Sequence, residues 1–322
     1  MEDYPRTLLE FERRFASEEA CRQYLFSLKW PDGFACPRCS GKKGWLSNRG
    51  LISCAACGFQ ASLTAGTVFQ DTHKPLALWF RGIWLVTSQK TGASALGIQR
   101  VLGLGSYKTA WAWLHKLRRA MVRPGRERLS GRVEVDDCYW GASEEGIRGR
   151  HLGSKTVIVV AAEENGKGIG RIRMARIPNA SAASLEPFLL AAVEPGSTIH
   201  TDGWSGYAGI ESKGYIHEVS LLRGRKRLAS ELLPRVHKIV SLLKRWLVAT
   251  HQGAVSHEQL GYYLDEFTFR FNRRTSRSRG KLFYRLVRQA MQIEPVAFKD
   301  LVKHARGRKK LVPQDIGVTG VK

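Results

Sequence analysis

The chain has 322 residues, 43% of them apolar and 25% charged, enough for a sizeable core spread over two or three domains. Its 52 Lys and Arg outnumber 28 Asp and Glu, a formal charge of +24, which points to a polyanionic partner: nucleic acid first, an anionic membrane second. The opening MEDYPRTLLEFERRF lacks the apolar centre of a secretory leader, and no apolar run approaches the roughly 20 residues that span a bilayer, so a cytoplasmic location without a membrane partner is expected.

Residues 1–70 read as an N-terminal helix followed by a small metal-clamped module. CPRC at Cys36–Cys39 is echoed fourteen residues later by CAAC at Cys54–Cys57. Such pairs serve as disulfides, redox centres or metal clamps, and a cytoplasmic setting disfavours the first. Two CxxC turns facing each other give a tetrahedral four-thiolate zinc site, so Cys36, Cys39, Cys54 and Cys57 are expected to hold a structural Zn²⁺. Gly58 follows the second pair, where such a turn needs positive φ. Cys21 and Cys138 stand alone and read as packing residues.

Residues 71–125 read as helices. Pro75 suits a first turn, and Leu76, Trp79, Phe80, Ile83 and Trp84 recur at helical spacing. A helix over about 93–102, a glycine turn at 103–105 and a helix over about 106–121 fit a helix-turn-helix, with Lys108, Arg118 and Arg119 expected to face DNA. A plain helical hairpin is the alternative.

Residues 126–292 change character. RVEVDDCY (132–139) alternates as a strand ending in acids, and KTVIVVAAE (155–163) is a more apolar strand. Asn165-Gly166 marks a hairpin, 170–177 the returning strand, and Asn179 or Ser181 caps a helix to about Val193. STIHTD (197–202) is a further strand, again ending in an acid. This order resembles the opening of the ribonuclease-H-like fold, an α/β mixed sheet flanked by helices, in which the first and fourth strands are neighbours. Asp136 and Asp202 would then meet at adjacent strand ends, an arrangement tolerable when they hold divalent cations, Mg²⁺ or Mn²⁺. A third ligand is expected from the helix PRVHKIVSLLKRWLVAT (234–250), which has no acid but carries His237, thirty-five residues after Asp202. Lys244 lies seven residues further on the same face, suited to a phosphate.

Together these features resemble bacterial insertion-sequence transposases of the DDE class that carry an N-terminal zinc ribbon. The likeness rests on the ribbon at 36–57, the helices at 75–121, VEVDDCYWGA at 133–142, HTDGWSGY at 200–207, SLLKRWL at 241–247 and YLDEFTFRFNRR at 263–274. It implies a catalytic set of Asp136, Asp202, His237 and Lys244, with His237 where relatives carry the third acid. It further implies cleavage of transposon-end phosphodiesters, joining of the 3′-hydroxyl to target DNA, and action as a homo-oligomer on paired ends, with no small-molecule substrate. The implied location is bacterial and nucleoid-associated. Asp137 stands where relatives often have Glu, and Glu231 is the nearest acid that could substitute for His237, though Pro234 separates it from the helix. Two alternatives stay open: a non-catalytic DNA-binding regulator or decayed transposase, and a nuclease without strand transfer.

Basic runs mark the expected DNA path. Residues 221–245 hold eight Lys and Arg against one Glu, and 270–288 hold eight with no acid. Arg225, Lys226, Arg227, Arg245, Arg273 and Arg274 are the candidate contacts, while the interleaved Phe267, Phe269, Phe271, Phe283 and Tyr284 read as core. Residues 293–322 read as a loose basic tail.

Overall fold

A computed structural model describes residues 2–123, 125–141, 155–221 and 229–303. These form two compact units: one contains the chain up to Met121 together with Thr275–Lys303, the other contains Val122–Arg274.

The first unit begins with α1 (Leu8–Arg14) and α2 (Glu18–Lys29), capped by the hydroxyls of Thr7 and Ser17. A three-stranded antiparallel sheet follows, β1 (Gly44–Leu46), β2 (Ile52–Cys54) and β3 (Gln60–Ala61). Lys29 ties α2 to the segment after it, its ammonium donating to the carbonyls of Ser62, Leu63 and Ala65. Helix α3 (Leu76–Ser88) has Pro75 at its N-cap and no cap from its own side chains. Its first amides, Leu76 and Ala77, instead donate to the carboxylate of Glu18. Helices α4 (Ala95–Val101) and α5 (Tyr107–Ala120) flank the turn expected at 103–105, where Gly103 takes φ +62° and Ser94 and Ser106 cap the two helices.

The second unit is built on five strands: β4 (Arg132–Trp140), β5 (Thr156–Asn165), β6 (Gly168–Ile177), β7 (Thr198–Thr201) and β8 (Ile216–Val219), in the order β6-β5-β4-β7-β8. The β5–β6 hairpin turns at Asn165-Gly166 as expected, with Gly166 at φ +55°. Helix α6 (Ala182–Ala192) crosses from β6 to β7, which runs parallel to β4. The short α7 (Ala229–Leu232) precedes the long α8 (Pro234–His251), and α9 (Leu260–Phe271) follows.

Alternation along β4 divides its side chains between two cores. Val133 and Val135 face α6 with Leu185, Phe188 and Leu189. Cys138 and Trp140 face α8 and α9 with Val236, Ile239, Leu243, Trp246 and Phe267. Glu134 and Asp136 share this second face by parity. The mixed sheet with helices on both faces is a ribonuclease-H-like α/β fold, as the strand order implied.

The chain then rejoins the first unit through α10 (Arg279–Ala290) and α11 (Phe298–Lys303). The catalytic span expected to reach 292 therefore includes a helix that groups with the N-terminal residues. Phe283 of α10 is fully buried among Phe11, Phe15, Tyr24, Phe80 and Trp84. The tail expected to be loose from 293 instead forms α11 through Lys303, with Leu301 buried and Phe298 against Trp111. Residues 304–322 lie outside the described residues.

Candidate active site and zinc centre

The four cysteines of the ribbon converge. Sγ of Cys36 lies 3.7 Å from that of Cys57 and Sγ of Cys39 3.6 Å from that of Cys54, and all four lie within 4.8 Å of one another. A tetrahedral zinc with Zn–S of about 2.3 Å requires sulfurs roughly 3.8 Å apart, so the cluster fits a structural Zn²⁺. Each CxxC turn is closed the same way. The amide of Ser40 donates to the Cys36 carbonyl and that of Gly58 to the Cys54 carbonyl. Both residues have positive φ, +61° and +68°, so the expectation for Gly58 extends to Ser40, a non-glycine in the same strained position. Amides of Cys57 and Ala56 pull the Cys54 thiol down to about 7, toward the thiolate that binds metal.

The second site lies at the sheet. The parallel register pairs Arg132 with Thr198, Val133 with Ile199 and Glu134 with His200. Asp136 lies two residues beyond the last paired residue of β4, and Asp202 is the first residue after β7. Both acids anchor one oxygen locally: Oδ1 of Asp136 accepts the Asp137 amide at 2.8 Å, and Oδ1 of Asp202 accepts the Trp204 amide at 3.0 Å across a turn eased by Gly203 at φ +79°. His237 stands in the first turn of α8, its Nε2 3.7 Å from Oδ2 of Asp136. Burial lowers the pKa of His237 below 6.5, against the upward pull of Glu134 and Asp202, which leaves a neutral ring with a lone pair to offer. The imidazole and Asp136 are close enough for one small ion to draw together. Among the described residues Asp202 does not complete a set whose ligand atoms all lie within 4.8 Å.

Lys244 is exposed on α8. Its charge reaches Cys138, whose thiol burial pushes up to about 12 while Lys244 works against the shift. Asp137 has the opposite parity on β4 to Asp136. Glu231 lies on the separate α7, outside α8.

Two groups near this site were not anticipated. Glu134, two residues before Asp136, is completely buried and receives the amides of Arg235 and Val236, at 2.8 and 3.0 Å, and Nη1 of Arg235 at 2.8 Å. Beside it, Glu134, Glu164 and His200 form a carboxylate–imidazole group within 4.8 Å. Arginines occupy this group: Arg235 bridges Glu134 and Glu164, while Arg132 bonds Glu164, Glu218 and Nδ1 of His200. Nε2 of His200 meets Ser220 Oγ at 2.8 Å, so both ring nitrogens are engaged. The group is an ion-pair hub rather than a vacant ligand set.

The expected DNA contacts divide. Lys108 and Arg245 are exposed and Arg119 is half-buried. Arg118 is 1% exposed, with Nη1 3.4 Å from Nε2 of buried His115, which corrects its assignment as a DNA contact: α5 turns that face into the core. Arg273 stacks over Phe269 at 4.1 Å and donates to its carbonyl. Arg274 stacks over Phe271 and donates to the carbonyls of Ile169, Gly170 and Phe271, so it ties the end of α9 to the β5–β6 hairpin. Arg225, Lys226 and Arg227 lie outside the described residues.

No described helix is long and apolar enough to cross a membrane. A search of curated proteins found no significant match. A family model described as ISXO2-like transposase domain matches residues 128–272, the span that holds the five-stranded sheet, Asp136, Asp202 and His237. A second, described as transposase zinc-ribbon domain, matches residues 16–60 and spans the four cysteines. Two models of one transposase type, in the order the sequence implied and together spanning more than half of the chain, place it among the insertion-sequence transposases of the DDE class with an N-terminal zinc ribbon.

Proposed function

We propose that the protein cleaves the phosphodiesters at transposon ends and joins the freed 3′-hydroxyl to target DNA, using Mg²⁺ or Mn²⁺ held by Asp136, Asp202 and His237. The supporting observation is the approach of α8 to β4 at Asp136. Helix α8 brings Nε2 of His237 to 3.7 Å from Oδ2 of Asp136, and Asp202 directly follows β7, the parallel neighbour of β4. When bound, the ions supply Lewis-acid stabilisation of charge on the attacking and leaving oxygens. The protein's own work is then placement. The two aspartates and the neutral imidazole fix the site, and Lys244 on the same helix neutralises a phosphate of the strand being cut. Lys108, Arg119 and Arg245 carry DNA contacts outside the site, with Arg225, Lys226 and Arg227 in the same role. Oligomers assembled on paired ends belong to the same reading.

The imidazole in place of a third acid favours one second reading, a transposase that binds its ends without cutting them. The deciding experiment offers a labelled duplex bearing the flanking terminal repeats to wild type, Asp202→Ala and His237→Ala, with Mg²⁺ or Mn²⁺. Joined products from wild type and none from either variant are expected. Activity retained by His237→Ala would remove His237 from the ligand set. Salt-sensitive binding without cleavage by wild type would leave the second reading.

A further inference from the structure

Helix α8 starts without the usual means of starting a helix. Its N-cap is Leu233, with no side-chain bond, and Pro234 at the first position has no amide to offer. The exposed donors are therefore the amides of Arg235 and Val236, and one oxygen of Glu134 accepts both. The other oxygen accepts Nη1 of Arg235, whose remaining guanidinium donors close on the carbonyls of Gly166 and Gly168. A carboxylate at this helix end also meets the positive end of the peptide dipoles. The residue after Val236 is His237, and two residues beyond Glu134 on the same face of β4 is Asp136. The strand and the helix thus meet in two successive rungs: Glu134 to the amides of 235 and 236, then Asp136 to the ring of His237.

We propose that Glu134 is a positioning residue for the catalytic site, the strut that seats the first turn of α8 on β4 and so sets where His237 stands relative to Asp136. The proposal rests on the reading of Asp136 and His237 as metal-holding groups. Glu134 itself reaches no substrate, being fully buried. Its sequence distance from its partners, 101 and 102 residues, means the contact is purely tertiary and its loss is not repaired locally. A positional error of about 1 Å at a reacting centre costs up to ~100-fold in rate.

The test uses full-length, zinc-loaded protein with ¹³C-labelled histidine rings, the His237 signal being assigned by its loss in His237→Ala. Glu134→Gln keeps the shape but sets an amide NH₂ or a weaker oxygen against donors that need a carboxylate. In the wild-type background Asp136→Asn is expected to move the His237 ring signal. In the Glu134→Gln background the same change is expected to leave it unmoved. Amide hydrogen exchange at Arg235 and Val236 should rise at least about tenfold. Cleavage should lose at least about tenfold in kcat, with KM for DNA within about twofold. A His237 signal that still follows Asp136 in Glu134→Gln, or that ignores Asp136 in wild type, overturns the proposal. So does a kcat that falls only with the folded fraction. If wild type does not cut DNA, the catalytic reading fails, while the ring signal and amide exchange still decide whether Glu134 seats the helix.

Discussion

Phe283→Ala should strongly destabilise the N-terminal unit while sparing the sheet unit, although residue 283 follows the sheet unit in sequence. The ring is 0% exposed and lies 5.3–6.4 Å, centroid to centroid, from Phe11, Phe15, Tyr24, Phe80 and Trp84. Truncating a buried Phe costs about 3–5 kcal/mol through lost transfer energy and the cavity left behind. Edge-to-face pairs, here with Phe11 and Phe80, add about 0.5–1.5 kcal/mol each, though not additively. The upper part of the range, about 4–5 kcal/mol, is therefore expected, against a total stability of about 5–15 kcal/mol for a domain. Calorimetry of full-length protein would show the transition that accompanies zinc release falling by roughly 10 °C or more while a second transition holds. A loss under about 1.5 kcal/mol, or equal shifts of both transitions, would refute the assignment of α10 to the N-terminal core.

Zinc removal should act on the same unit. Cys57→Ser, or a strong chelator, is expected to abolish the stoichiometric zinc measured with a chromogenic dye and unfold the ribbon, because apparent zinc-binding energies of about 10–16 kcal/mol in small fingers are folding energy; unchanged unfolding would contradict it. In salt titrations of DNA binding, Lys108→Ala and Arg245→Ala should each lower the log–log slope by about one, whereas buried Arg118→Ala should lower stability and leave the slope alone. The His237 ring should titrate below 6.5 because burial depresses it. With the folded-state pKa below the unfolded one, its contribution to stability is present above pH 6.5 and lost as pH falls through the folded value. An NMR midpoint above 6.5 would reverse that sign.

The neighbouring strands of Asp136 and Asp202 were readable because a hairpin, a crossover helix and a parallel strand leave few ways to order a sheet. His237 was reachable by spacing alone. Glu134 was not, since an acid in RVEVDDCY looks like any solvated strand residue until α8, a hundred residues away, is set upon it. Arg118 misled for a related reason. The charge run of α5 suggested an exposed face, but the helix is buried on Ala110, Trp113, Leu114 and Leu117 as well, which leaves little room for Arg118 outside. Strand β8, IHEV, is too short and too exposed to announce itself. The return of α10 to the first unit leaves no local signal, because its amphipathic pattern says that one face is buried and not against what.

That return matters for how the protein is made. Synthesis is vectorial, and domains complete in the order their last residue leaves the ribosome. Among the described residues the sheet unit ends at Arg274, so its strands and helices can close before the N-terminal unit, which waits for Phe283 while Phe11, Phe15, Phe80 and Trp84 lack their shared partner. A message broken between codons 275 and 283 therefore yields a chain with the sheet unit's strands and helices made and an unfinished ribbon-and-helix unit, a target for proteolysis rather than a stable competitor for DNA. Completion of the first-made half is in this way a check that translation has passed Phe283.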